Sequence, residues 1–544
     1  MSNSLCVVMA QLNLMVGDVE GNAQQVIDAA NQAATDFQAD VIVFPELTLT
    51  GYPAEDLLFR ANFIDHVEQA LSKIQAELPS GLMAVIGYPE RSNGQLYNAA
   101  CVVSADGVHH NYRKAKLPNY GVFDEVRYFI PSDQACVFEV KGFRLGLTIC
   151  EDLWYPEPAQ QAQQAGAEAI INLNASPFHH NKQTEREEVI RLRAQQVGLP
   201  IIYTNLVGGQ DELVFDGASL VMSAKGEMVQ RCASFHSGLY PVTLQKQNGV
   251  VEVAQGKVEE PLSYEASVYN ALVLGVRDYI EKNGFKGVIL GLSGGIDSAL
   301  TLAIAVDAIG KEQVEAVMMP SRYTADMSLE DAQGEAVALG VEYHVLPIEQ
   351  PFEAFLDVMK DEIGSDKPGV TEENIQARCR GIILMAISNR KGKMLLTTGN
   401  KSEMSVGYAT LYGDMAGGFA PIKDIPKTLV YQLSRYRNSI SPVIPERVLV
   451  RPPSAELAPD QKDEDSLPPY DILDPILKMY IEEDVSPERI IAQGYDEETV
   501  YRVVTMVNRN EYKRRQAPPG VRITKRAFGR DRRYPITSGY RYSR

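Results

Sequence analysis

The apolar positions fall into two successive series. From residue 5 to about 245, short apolar runs alternate with polar, Ala-rich stretches. The runs at 6–11, 40–46, 83–90, 98–105, 144–152, 169–176 and 199–209 predict buried strands. Several end in a polar or acidic residue just before a loop, the place where α/β proteins carry their chemistry. Residues 246–262 break the pattern. A second series then opens with a predicted helix over 264–283, a strand over 287–292, a Gly-rich loop and a helix over 298–310. It continues with strand 315–320, a helix near 328–339 and strand 343–348. Such alternation predicts parallel sheet. The Pro-rich, charged stretch 440–470 reads as a mobile, ordered loop, and no repeat of fixed period is present. The expected division is an α/β domain over 1–250, a linker over 251–263 and a second α/β domain over 264–544.

Composition narrows the function classes. The 544 residues are 45% hydrophobic and 23% charged, as in a folded globular chain with room for two large cores. A net charge of −19 argues against general binding to nucleic acid or to acidic membranes. The charge is uneven: residues 509–544 hold twelve Lys/Arg against two Asp/Glu, a local +10 that leaves −29 on the rest. A basic segment on an acidic body can place cations beside a small anionic ligand. The N-terminus lacks a basic region before its apolar run, and no apolar run reaches the ~18 residues needed to span a membrane. Cys6, Cys101, Cys136, Cys150, Cys232 and Cys379 show no CxxC spacing, which fits a reducing cytoplasm and no structural zinc.

The strongest local signal is Gly291-Leu292-Ser293-Gly294-Gly295-Ile296-Asp297-Ser298, set between a predicted strand and helix. Adjacent glycines let backbone N–H groups approach an anion, two serines add hydroxyl donors, and the helix N-terminus points its positive end at the same spot. No Lys follows the glycines, so this is not a Walker A loop. Asp297 beside phosphates calls for a cation such as Mg²⁺.

This loop resembles the SGGxDS motif of the ATP pyrophosphatase family, whose members cleave ATP between the α and β phosphates and adenylate a carboxylate or carbonyl. Further segments resemble the NAD synthetase branch: Asn374–Arg380, Thr397–Glu403, Gly413-Asp414, Pro421–Asp424, Pro453–Leu457 and Lys525-Arg526. The resemblance spans roughly residues 265–535 and implies a Rossmann-like parallel sheet of the adenine nucleotide alpha hydrolase type. It implies that Gly291–Ser298 and Thr398 contact ATP, and that Asp297 and Glu403 lie by Mg²⁺. Glu403, Asn374, Lys525 and Lys423 would meet deamido-NAD.

In the first half, Cys150 closes the predicted strand 144–150 and precedes Glu151-Asp152. A cysteine so placed is either a nucleophile or a core filler, and the segment alone leaves both open. No histidine partner is identifiable, but a carboxylate can take a thiol proton and a lysine can stabilise an oxyanion. Phe44-Pro45-Glu46 and Tyr112-Arg113-Lys114 supply both groups. Together with Cys150 they resemble the Glu-Lys-Cys triad of the nitrilase (carbon–nitrogen hydrolase) superfamily, an αββα sandwich. Lys114, not Lys116, matches, because the family lysine precedes x-x-Leu. The resemblance implies Glu46 as general base, Cys150 as nucleophile, Lys114 at the oxyanion and Glu125 as a second glutamate beside the triad. Tyr120, Ser176 and Lys182 would hold glutamine, with Tyr52, Phe123 and Glu151 as neighbours.

A glutaminase joined to an adenylating domain implies glutamine-dependent amidation of deamido-NAD, with ammonia passed between domains. The family resemblance adds ATP as co-substrate, Mg²⁺ and a homo-oligomer. GMP synthetase shares the ATP loop but uses a Cys-His-Glu glutaminase of another fold. A tRNA-thiolating enzyme would need an RNA-binding surface that the charge disfavours. The alternative is a related amidotransferase with another carboxylate or carbonyl acceptor.

Overall fold

The computed structural model describes residues 3–363, 369–459 and 461–540. The chain separates into two compact units, Met1–Ser263 and Tyr264–Arg544.

The strands of the first unit are β1 (Ser4–Gln11), β2 (Val41–Val43), β3 (Met83–Ser92), β4 (Gln95–Ser104), β5 (Gly107–Arg113), β6 (Val137–Val140), β7 (Phe143–Ile149), β8 (Ala169–Asn174), β9 (Ile201–Asn205), β10 (Val207–Gln210), β11 (Leu213–Asp216), β12 (Leu220–Met222), β13 (Met228–Arg231), β14 (Gly238–Gln247) and β15 (Val250–Val253). One sheet runs β15-β14-β1-β2-β3-β4-β5 and the other β13-β12-β9-β8-β7-β6, while β10 and β11 form a separate hairpin. The middle of each sheet is parallel: β1-β2-β3 in the first, β7-β8-β9 in the second.

The period of two sorts side chains between layers. Val7, Met9, Val41 and Val43 meet Leu145, Leu147 and Ile171 of the other sheet. Their neighbours Val8, Ala10 and Ile42 turn outward, onto helices Val19–Phe37 and Ala61–Glu77. On the second sheet, Ile170, Ile201 and Tyr203 turn out to helices Pro156–Gln164 and Lys182–Val197. The result is an αββα sandwich. Because its central strands are buried on both faces, they read in sequence as nearly unbroken apolar runs.

The expected linker is corrected by the structure. Val250–Val253 is an edge strand paired with β14, and Val258 bridges to Arg231, so most of 251–263 completes the first unit. An edge strand is half solvated, and its outward Val250 and Glu252 gave it the look of a connector.

The second unit is built on β16 (Val288–Gly291), β17 (Val314–Met318), β18 (Glu342–Val345) and β19 (Met394–Leu396), all parallel in the order β18-β17-β16-β19. From β16 the chain builds outward through β17 and β18, then returns to add β19 on the opposite side. The C-terminal end of β16 is therefore a topological switch point, where open α/β sheets bind ligands. The Gly-rich loop leaves from that end and enters helix Ile296–Ile309. Helices Glu349–Val358 and Val370–Lys391 cover the sheet face carrying Ile289, Val317 and Leu395. Helices Tyr470–Leu477 and Glu497–Arg509 form a separate apolar cluster around Leu473, Ile476 and Val503. Among the described residues no helix is long and apolar enough to cross a membrane.

Candidate functional site

In the first unit, the ends of strands from both sheets converge on one buried ionic centre. β2 ends at Val43, and the turn that follows carries Glu46. Lys114 directly follows β5, and Cys150 directly follows β7. The strand thus ends one residue before the cysteine. Cys150 opens a 3₁₀ turn with φ of +43°, a left-handed conformation costly for a non-glycine residue and frequent at functional sites. Asp152 locks this turn, accepting from the Ile149 N–H at 2.8 Å and the Tyr112 hydroxyl at 2.8 Å, and from the Ala115 and Lys116 N–H groups.

The Lys114 ammonium donates to Glu46 Oε1 at 2.6 Å and to both oxygens of Glu125 at 2.9 Å. Asn98 Nδ2 donates to Glu46 at 2.7 Å, and the Ala175 N–H donates to its other oxygen at 3.1 Å. The Tyr52 hydroxyl donates to Glu125 at 2.9 Å. All of these groups are buried. Gly87 makes the turn at Glu46 possible, since a Cβ there would lie 2.5 Å from both the Pro45 carbonyl and the Leu47 nitrogen.

Burial works against the Lys114 cation, yet Glu125 and Glu46 outweigh it and hold the ammonium well above its ordinary value. Burial pushes the Glu125 carboxyl up to about 7 against the pull of Lys114. The Cys150 thiol is raised well above its usual range, first by burial and then by Glu46, with Lys114 opposing. Such a cysteine rests as a thiol and reacts only when a neighbour takes its proton.

The rim carries the other expected residues. Tyr120 OH donates to Glu151 Oε1 at 3.0 Å, and its ring meets that of Phe123 edge-on. Burial lifts the Glu151 carboxyl. Lys182 lies 4.0 Å above the Trp154 ring, and burial, aided by the Arg186 charge, lowers its ammonium to about 8. Ser176 is buried. Arg186, fully buried and paired with Asp216 at 2.7 Å, donates to the Ser176 hydroxyl at 3.1 Å and its carbonyl at 2.7 Å. Sequence reading missed Asn98 and Arg186, which sit in unremarkable strand and helix contexts.

In the second unit, a cavity of about 270 Å³ opens at the switch point. Gly291, Leu292, Ser293, Gly295, Ile296, Asp297 and Ser298 line it together with Thr398 and Glu403. Gly294 has φ of +75°, and a Cβ there would collide with the Ser328 carbonyl. Ser298 Oγ accepts from the Ser293 N–H at 3.2 Å and lies 3.1 Å from Ser293 Oγ, which itself accepts from the Gly295 N–H at 3.2 Å, so the loop is closed on itself. Asp297 accepts from Asn400 Nδ2 at 2.9 Å and from Lys427 at 2.5 Å, and Lys427 also reaches Glu403 at 3.2 Å. Burial pushes the Glu403 carboxyl up to about 8 against Lys427. The Lys427 ammonium, buried but flanked by two carboxylates, is held above its ordinary value.

Of the 440–470 stretch, Val448, Arg451–Leu457 and Asp463 line this cavity, while Asp460 lies outside the described residues. Arg451 donates to the Gly294 carbonyl at 2.8 Å and ties that stretch to the loop. The remaining expected residues stand apart from the lining. Asn374 accepts from the Thr410 hydroxyl at 2.7 Å, Lys423 donates to the Pro518 carbonyl at 2.8 Å, and Lys525 is exposed. Lys427, central here, was missed because nothing local marks it, while Asn400 lies inside the quoted segment Thr397–Glu403 but was given no role of its own.

Known proteins carry the same two-part organisation. Residues 6–249 match the carbon–nitrogen hydrolase family, and residues 268–517 match the NAD synthase family. The glutamine-dependent NAD(+) synthetase of Xanthomonas campestris is 48% identical over 547 residues, covering 99% of this chain and 98% of that protein. That of Aquifex aeolicus is 46% identical over 98% of this chain and 100% of its own. The solved glutamine-dependent NAD+ synthetase of Acinetobacter baumannii, in complex with ADP, is 46% identical with a TM-score of 0.80, covering 98% of this chain and 99% of that one. With an αββα sandwich and a switch-point cavity on one chain, and relatives alike along its whole length, this protein belongs to the glutamine-dependent NAD+ synthetase family.

Proposed function

We propose that the chain converts deamido-NAD, ATP and glutamine into NAD, AMP, pyrophosphate and glutamate. The observation that carries this reading is the pairing, on one chain, of a buried Glu46–Lys114–Cys150 centre with a Gly-rich loop whose cavity is lined by Asp297 and Glu403.

Glu46 takes the Cys150 proton, and the thiolate attacks the side-chain amide carbon of glutamine. Lys114 faces the oxyanion, with Glu125 holding its ammonium in place. The C–N bond breaks as Glu46 returns its proton to the leaving nitrogen, giving ammonia and a glutamyl thioester that water hydrolyses. Lys182 and Glu151 have the charges to meet the α-carboxylate and α-ammonium of glutamine, and Tyr120, Ser176, Tyr52 and Phe123 frame the pocket.

At the second site the nicotinate carboxylate attacks the α-phosphorus of ATP, and pyrophosphate leaves into the Gly291–Ser298 loop. Ammonia then attacks the acyl carbon and AMP leaves. Adenylation is required because a free carboxylate has no good leaving group. Asp297 and Glu403 fit Mg²⁺, since they are hard oxygen donors already spanned by a cation, the Lys427 ammonium. Mg²⁺ bound there would neutralise phosphate charge. Thr398 would contact ATP, with Asn374, Glu403, Lys423 and Lys525 toward deamido-NAD. The six free cysteines support a reducing compartment such as the cytoplasm, and exposed Phe355, Val358 and Ile382 support a homo-oligomer.

The test is a product assay with glutamine, deamido-NAD, ATP and Mg²⁺, repeated with a chelator. NAD, AMP and glutamate are expected together, and only with the metal. Glutamate without NAD would point to another acceptor, and ADP in place of AMP would remove the pyrophosphatase chemistry.

A further inference from the structure

Residues 517–524 lead to Lys525 without regular secondary structure, so their backbone groups must be satisfied elsewhere. One side chain takes two consecutive N–H groups of this stretch. Asp424 Oδ2 accepts from the Ile523 N–H at 2.8 Å and the Thr524 N–H at 2.6 Å, and Asp424 Oδ1 accepts from the Thr524 hydroxyl at 2.9 Å. The buried Lys401 ammonium completes the cluster, 2.8 Å from Asp424, 2.6 Å from Glu482 and 2.8 Å from the Thr524 hydroxyl. The same short segment grips the chain upstream, where the Ala420 N–H donates to the Pro519 carbonyl at 2.8 Å and Lys423 donates to Pro518.

Beyond Thr524 the chain is held again. Arg522 is paired with Asp531 at 2.6 Å and donates to the Lys525 carbonyl at 2.8 Å. Burial changes sharply at this point: Val521 to Thr524 are buried, and Lys525 is exposed. Lys401 adjoins Asn400, which bonds Asp297, and a small cavity of about 20 Å³ is lined by Glu403, Asp414, Lys423 and Pro518.

We propose that Asp424, acting through Thr524 and Lys401, is a positioning residue that sets where Lys525 stands for the dinucleotide substrate. This rests on the reading of Lys525 as a deamido-NAD contact. A carboxylate suits the task because it accepts from two consecutive N–H groups and a hydroxyl at once, which leaves the tail little freedom to slide. Fixing the backbone in advance lowers the ordering cost of each binding event.

Ammonium-dependent NAD synthesis isolates the second site. Lys525→Ala is expected to raise KM for deamido-NAD about tenfold, the effect of losing one charged contact. Asp424→Asn and Thr524→Val are expected to raise the same KM about threefold to tenfold, with kcat and KM for ATP within about twofold of wild type. Combined with Lys525→Ala, neither should add a further rise. Should Asp424→Asn fail to fold, Thr524→Val, which keeps both backbone bonds, reads the same constants. An unchanged KM for deamido-NAD in these variants, a rise that multiplies with that of Lys525→Ala, or a parallel rise in KM for ATP would overturn the positioning role. A normal KM in Lys525→Ala itself would instead remove the substrate assignment on which the proposal rests.

Discussion

Lys427 and Asp297 meet at 2.5 Å across 130 residues of chain. Asp297 stands in the first turn of the helix that follows the Gly-rich loop, where a carboxylate would otherwise repel the phosphates that loop is proposed to receive. The buried ammonium, shared with Glu403 at 3.2 Å, offsets that charge and keeps the wall of the cavity usable for an anion.

Lys427→Met should therefore lower ammonium-dependent NAD formation by about 100-fold or more, because Asp297 and Glu403 would then face the phosphates without the cation that offsets their charge. Steady-state assay with saturating ammonium salts decides it. A kcat near wild type would show that Lys427 only holds the fold.

The glutamine half should be separable. Cys150→Ala should abolish glutamine-dependent synthesis and leave ammonium-dependent synthesis in place. Gly87→Ala should mimic it in weaker form, by about tenfold or more, because the new Cβ displaces the turn that carries Glu46. Comparing the two nitrogen sources measures both, and equal losses with glutamine and ammonium would contradict the prediction.

Lys114 is fully buried between two carboxylates. Lys114→Met leaves Glu46 and Glu125 facing each other without a cation, and should destabilise the protein by about 3 kcal/mol or more. Adding Glu125→Gln should restore part of that loss. Urea unfolding of the single and double variants is the measurement, and a double variant no more stable than the single one would count against a charge origin.

Burial lowers the Lys182 ammonium to about 8. If that cation holds the glutamine α-carboxylate, KM for glutamine should be flat below about pH 8 and rise about tenfold per pH unit above it, because the charge is lost there. Lys182→Arg stays charged and should remove the rise. A pH series of KM for glutamine, with ammonium as the control substrate, checks this. An identical rise in Lys182→Arg would assign it to another group.

Much of this architecture is legible in the order of residues. The apolar runs at 83–90, 98–105 and 169–176 mark strands because sheets buried on both faces demand unbroken apolar stretches. Gly291–Ser298 is legible because an anion loop needs adjacent glycines and hydroxyls within one turn. The failure at 251–263 has the converse cause: an edge strand keeps one side in water, and its polar residues read as a connector.

By itself, then, the sequence determined the two α/β series, the Gly-rich loop between strand and helix and the cysteine at a strand end, all features whose information lies within about ten neighbouring positions. The tertiary structure alone decided that Asn98 secures Glu46, that Arg186 secures Ser176, and that Lys427 faces Asp297. Each of these is a single polar residue in an ordinary local context. Its role comes from burial beside a charge brought from a distant part of the chain, and only folding makes that burial and that encounter happen together.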